Sequence, residues 1–321
     1  MVVGSIPTGR TLYYKKDIII HMRRYFLYFI LILSIITIFI VLNNNTSKKN
    51  LIVPPKVAPT ELVIIPQQRP FTILIVPGHD TNTGGANFKN IYERNLVVDV
   101  ANDISTILSQ DPKYKVIVAR DRKVWNPIFA SYFLDDRQAI LDFKNQHQAS
   151  DKLLLSSGQK KVIIDSAAHS IVNQKSAIEL YGINKWANEN DVDLIIHLHF
   201  NSSKRKNMNK PGTYHGFDIF IPERQRANFN VSQDIAENIY KELQKKFTPE
   251  TNRTDYNSLF EDQSLIALGA SDTLNRPAVL IEYAYIYEKM LLTYASQKEA
   301  IKEMAEQTVA GIKDYVNSKN N

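Results

Sequence analysis

Residues 71–80 read FTILIVPGHD. An uncharged run from Phe71 to Val76 stops on Pro77 and Gly78, and the chain then presents His79 followed by Asp80. A continuous apolar run, without polar alternation, is the pattern of a strand buried on both faces. Helices must then cover both faces, which implies an α/β layered domain. Further runs fit this reading. KVIVAR, VDLIIHLHF, FDIFI and AVLIEYAY read as strands, separated by the helix-length segments RNLVVDVANDISTILSQ, GINKWANEN, SQDIAENIYKELQKKF and QKEAIKEMAEQTVAGIKDYV. The expected fold is a twisted sheet, mixed or mostly parallel, flanked by helices. In such sheets the carboxyl ends of the strands form the usual ligand crevice, so His79 sits where a rigid strand hands over to a loop.

Working outward, residues 122–176 are less regular. They hold a helix around FLDDRQAILDFKNQH, a polar break at SSGQKK and no clear strand, and read as a helical insertion at one edge of the sheet. On the amino-terminal side, residues 25–42, YFLYFILILSIITIFIVL, carry no charge and have the length of a membrane-crossing helix. They are expected to form a transmembrane anchor. Arg10, Lys15, Lys16, Arg23 and Arg24 precede it, against Lys48, Lys49 and Lys56 after it, which places residues 1–24 in the cytoplasm and the domain outside a single-pass cell membrane protein. Residues 43–70, with VPPKVAPTE and IPQQRP, read as a linker. The domain itself is expected to span 71–321.

The 321 residues include no cysteine, which excludes disulfides and thiolate metal sites. The net charge of +6 is modest and the basic residues form no nucleic-acid motif, so no nucleic-acid partner is expected. TNTGGANF lacks the lysine and hydroxyl continuation of a phosphate loop.

Three groups with chemistry stand at strand ends: His79, the pair His197 and His199 in IIHLHFNSS, and Glu282 in PAVLIEY. Glu93, in NIYERNL, opens the first long helix. Imidazole nitrogens and a carboxylate oxygen are what zinc takes when cysteine is absent, and a catalytic site uses three of them with one position open. Taken singly, each has a plainer reading. A strand-end histidine commonly bonds a neighbouring carbonyl, and Glu93 suits the positive end of a helix. Glu282 differs, because a carboxylate inside an apolar strand requires a partner. His197 and His199 lie two apart and so share one face of their strand.

These residues, in this order, resemble the zinc-dependent N-acetylmuramoyl-L-alanine amidases of the amidase type 3 family. The family pattern D-P-G-H is matched by VPGHD, the glutamate before an asparagine-leucine pair by ERNL, D-L-x-I/V-S-x-H-x-N by DLIIHLHFN, and P-A-V-L-V-E by PAVLIE. The resemblance covers most of residues 71–318, apart from the insertion. It implies Zn²⁺ held by His79, Glu93 and His199, with Glu282 as the catalytic carboxylate. His197 and Asn201 become candidate groups behind the ligands, and Asn201 and Arg120 candidate substrate-orienting groups. The implied reaction is cleavage of the amide between N-acetylmuramic acid and L-alanine in peptidoglycan. An activator protein acting on the insertion is an implied partner. Two positions depart from the pattern: Val76 stands where aspartate is usual, and His197 where a small hydroxyl residue is usual. Fold-level likeness does not fix specificity, which keeps open a zinc hydrolase of another peptide or amide, and the two departures keep open an inactive wall-binding or regulatory module.

Overall fold

The computed structural model describes residues 69–80, 84–163, 173–250 and 259–319, all within the compact unit Pro66–Asn321. Strand β1 is Phe71–Pro77. A short hairpin follows, β2 (Asn87–Phe88) and β3 (Ile91–Tyr92), and leads directly into helix α1 (Glu93–Leu108). Next come β4 (Tyr114–Val118), α2 (Pro127–Asp135), α3 (Arg137–Ser156) and α4 (Gln174–Glu189). The chain continues through β5 (Leu194–Asn201), β6 (Asp218–Pro222), α5 (Phe229–Leu243), β7 (Leu259–Asp262), β8 (Ala278–Tyr285) and α6 (Tyr294–Ser318). Six strands form one sheet in the order β4-β1-β5-β8-β6-β7.

The uninterrupted apolar run of β1 has its predicted consequence. Ile73, Leu74 and Ile75 are wholly buried, and Ile73 and Ile75 pack with Leu96, Val97, Ile239 and Met304 on one face of the sheet. Leu74 joins Phe129, Ile178, Tyr181 and Trp186 on the other. Each such side chain contributes roughly 1.5–3 kcal/mol by leaving water. α1 covers the first face with a stripe of Val97, Ala101, Ile104 and Leu108 at helical spacing, while α4 covers the second with Ile178, Ile183, Trp186 and Ala187.

The sheet is mixed. β4, β1, β5 and β8 run parallel, β6 runs antiparallel to β8, and β7 follows β6. The parallel core brings the carboxyl ends of β1, β5 and β8 to one edge, where Cα partners His199 and Glu282 stand side by side. The helix expected around FLDDRQAILDFKNQH is two helices meeting at Asp136, whose φ of −100° and ψ of 16° break the regular path. Asn126 caps α2 by accepting from the Ile128 amide, with Pro127 at the first helical position. Beyond α3, Lys160 is buried and donates to Asp151 at 2.6 Å and to Asp272 at 3.0 Å, fastening that segment to the loop between β7 and β8.

The membrane expectation is corrected here. Among the described residues no helix is long and apolar enough to cross a membrane, and residues 25–42 lie outside the described residues. The longest described helix, α6, carries seven charged side chains and buries a single stripe against the fold, whereas a spanning helix needs about 20 predominantly apolar residues. The transmembrane helix is therefore withdrawn, and with it the single-pass cell-membrane localisation and the membrane as partner. Segments 1–24 and 43–70 also lie outside the described residues, except Arg69 and Pro70.

Candidate metal centre

His79 is delivered by a tight exit from β1. The Gly78 amide donates to the Leu198 carbonyl at 2.9 Å, and a Cβ on Gly78 would sit 2.3 Å from the ring of His199, so only glycine lets the loop pass. His79 itself has a φ of 63°, in the left-handed region that side chains other than glycine seldom occupy. Arg120 holds it there. This arginine, just beyond β4, is 1% exposed. Its Nε donates to the carbonyls of Pro77 (3.1 Å) and His79 (2.7 Å), and Nη2 donates to those of Gly78 and Arg94. Burial lowers its pKa to about 10, with Asp80 and Asp121 pulling the other way, so the guanidinium stays charged at neutral pH.

Glu93 opens α1 and is 3% exposed. Its Oε1 lies 2.9 Å from His79 Nε2 and 3.0 Å from His199 Nδ1, and accepts from the Phe200 amide at 3.0 Å. Oε2 accepts from the Ala86 amide at 2.7 Å. Burial by itself would raise the Glu93 pKa, but the bonds to His199 and His79 outweigh it and hold the carboxyl well below the usual range. The two imidazole rings stand 5.0 Å apart at 78°. Gly85, with a φ of 60°, closes over them: a Cβ there would fall 2.3 Å from His79 Nε2 and 2.4 Å from Glu93 Oε2.

The ligand atoms of His79, Glu93 and His199 all lie within 4.8 Å of one another. Tetrahedral zinc with bonds near 2.1 Å places its donors roughly 3.4 Å apart. Two imidazole nitrogens and one carboxylate oxygen, backed by amides that fix the carboxylate, fit that ion. Glu282 on β8 is the register partner of His199 on one side and of Asp218 on β6 on the other.

A family model described as N-acetylmuramoyl-L-alanine amidase matches residues 73–314. The chain belongs to the N-acetylmuramoyl-L-alanine amidase family. The amidase is thus a hydrolase acting on peptidoglycan, and its family is zinc-dependent. Among solved structures, the CwlD amidase from Clostridioides difficile in complex with the GerS lipoprotein superposes with a TM-score of 0.50 at 15% identity, covering 77% of this chain and 98% of that one. The N-acetylmuramyl-L-alanine amidase Ami1 from Mycobacterium smegmatis gives a TM-score of 0.50 at 13% identity, covering 77% and 97%. Both likenesses concern the fold. A search of curated proteins gave no significant match.

Within the amidase, the two departures from the family pattern are one feature, because Val76 and His197 are Cα partners across β1 and β5. Both are buried. His197 stands apart from the three-donor cluster. Burial first, then the neighbouring His199, pushes its pKa down to about 3 against a hydrogen bond with the Ala267 backbone, so it is neutral. Asn201 accepts from the Ser202 amide at 2.8 Å and serves the turn leaving β5. Arg120, read from sequence as a substrate-orienting candidate, instead faces inward to backbone carbonyls. Its signal was a charged residue closing the apolar run KVIVA. Gly85 carried no such signal, since its need for a positive φ appears only in the folded loop.

Proposed function

We propose that His79, Glu93 and His199 hold the zinc of this peptidoglycan amidase and that Glu282 carries the proton of the reaction. The observation supporting this reading is the convergence of the three donors at the carboxyl edge of the sheet, with Glu282 in register beside His199. Zinc bound there supplies Lewis acidity toward the scissile carbonyl and acidifies the attacking water. The reaction forms a carbon–oxygen bond at the lactyl carbonyl of N-acetylmuramic acid and breaks the carbon–nitrogen bond to L-alanine. Glu282 takes the proton from the attacking water and returns it to the departing alanine nitrogen. Arg120 and the amides of Ala86 and Phe200 hold the ligand-bearing segments still, so that little reorganisation accompanies the step.

A protein partner belongs to this reading as well. The CwlD amidase was solved with the GerS lipoprotein. On this chain α2 and α3 expose apolar side chains, Leu134 at 77% and Leu153 at 68%, and an activator protein would meet the insertion there.

The test pairs zinc content with mass spectrometry of muropeptides. Glu282→Gln is expected to keep its zinc and to lose hydrolysis by roughly 10²–10⁴-fold, whereas His199→Ala loses zinc and activity together. Undiminished release of L-alanyl peptides by Glu282→Gln would remove that residue from the mechanism. Wild-type zinc content in His199→Ala would remove the ligand assignment.

A further inference from the structure

The loop between β5 and β6, SSKRKNMNKPGTYH over residues 202–215, contains Lys204, Arg205, Lys206 and Lys210 and no acidic residue. It leaves the strand end that carries His199 and folds back onto two aromatic rings. Ser203 Oγ lies 2.9 Å from the Tyr287 hydroxyl, and a Cβ on Gly212 would meet that same hydroxyl at 2.3 Å. Both arms of the loop are thus pinned at one point. Between them the guanidinium of Arg205 lies 4.5 Å from the ring of Tyr287 and 5.6 Å from that of Phe88. Phe88 sits in the hairpin that leads into Glu93, and Tyr287 follows the strand that carries Glu282.

All three guanidinium nitrogens of Arg205 are buried and have no hydrogen-bond partner among the described residues. A guanidinium kept from both water and acceptors is costly, and the attraction of two ring faces returns only part of that. Its donors match the planar fork of a carboxylate, which takes two parallel bonds. Lys204, Lys206 and Lys210 are exposed on the same loop and add to its positive field.

We propose that this loop is the carboxylate-reading wall of the catalytic cleft and that Arg205 is a specificity-determining residue. Its ligand is a free carboxylate on the peptide side of the scissile amide, namely the α-carboxyl of the second residue of the peptidoglycan stem peptide. The inference rests on the amidase reading above, since it takes that bond as the one cleaved. The carboxylate draws the guanidinium out of its slot by a side-chain rotation, exchanging ring contacts for two charge-assisted hydrogen bonds. An amidated second residue offers neither the charge nor the paired acceptors.

Two muramyl tripeptides that differ only in whether this α-carboxyl is free or amidated serve as probes for the zinc-loaded full chain. The wild type is expected to favour the free acid in kcat/KM by roughly tenfold or more. Arg205→Met, which keeps the apolar stem, is expected to bring that ratio near one at unchanged zinc content, and Arg205→Lys to restore it in part. A wild-type ratio near one, or a ratio retained in Arg205→Met, overturns the proposal while leaving the amidase reading intact. Failure of the zinc-loaded protein to cleave either tripeptide overturns both.

Discussion

Arg120→Met tests whether a residue that touches none of the three donor atoms holds the metal centre together. The substitution keeps the bulk and removes the donors to the carbonyls of Pro77, Gly78, His79 and Arg94. At about 1 kcal/mol for each bond, and more where the carbonyl stays dry, the loss is about 4 kcal/mol. That is a large share of the roughly 5–15 kcal/mol by which domains are stable. The local effect follows from the backbone of His79, whose φ of 63° costs on the order of 1–3 kcal/mol and persists only while its surroundings enforce it. Released from Arg120, the loop relaxes toward ordinary φ and His79 Nε2 leaves Glu93. If the ligating geometry is then populated one time in about 10 to 100, the apparent Kd for zinc rises by the same factor. Urea unfolding of the chelated protein reads the first effect, and competition with a fluorescent zinc chelator reads the second. A folded Arg120→Met protein that binds zinc as tightly as wild type refutes the reasoning, because His79 would then hold its conformation unaided. Arg120→Lys, with its charge but without the planar fork, is expected to fall between.

Gly85→Ala drives a methyl carbon into the space between His79 Nε2 and Glu93 Oε2 at a φ of 60°; zinc affinity is expected to drop at least roughly tenfold, by the strain of the left-handed alanine alone, and unchanged affinity in the chelator competition would contradict the packing described. The neutral, buried His197 sets an acid limb of stability. Its folded pKa of about 3 lies below the 6.5 of the unfolded chain, so the unfolded state alone takes up a proton between those values. Its contribution is therefore complete above pH 6.5 and falls as the pH drops toward 3, by up to about 1.4 kcal/mol per unit. In chelated protein, His197→Leu is expected to flatten urea-derived stability between pH about 7.5 and about 5 relative to wild type; parallel curves would show that His197 titrates normally in the fold.

The sequence carried the parts of the site that lie on continuous strands. FTILIVPGHD, VDLIIHLHF and AVLIEYAY are buried on both faces, so their apolar runs announce themselves and their polar ends stand out. The direction of β6 was not legible, because FDIFI reads alike in a parallel or antiparallel pairing and only the register Asp218 with Glu282 decides it. Arg205 escaped, and the inward role of Arg120 was missed, for a different reason. Each works through partners distant in the chain, the carbonyls around His79 for one and the rings of Phe88 and Tyr287 for the other, and local pattern does not encode such contacts. The break at Asp136 was hidden because helix-forming residues flank it on both sides. The membrane anchor illustrates the opposite error, a strong compositional signal that no described helix supports.

His79, Glu93 and His199 come from a strand exit, a helix start and a strand on the far side of four intervening elements. An unfolded chain therefore has no ready site, and zinc favours the folded state by RT ln(1 + [Zn]/Kd), about 2.7 kcal/mol at a hundredfold excess over Kd. The surrounding zinc concentration consequently shifts the folding equilibrium of the protein as well as its metal loading. Where the metal is scarce, the unfolded fraction of the amidase is expected to rise by up to about a hundredfold relative to that excess, so scarcity would lower the amount of folded enzyme as well as its metal loading.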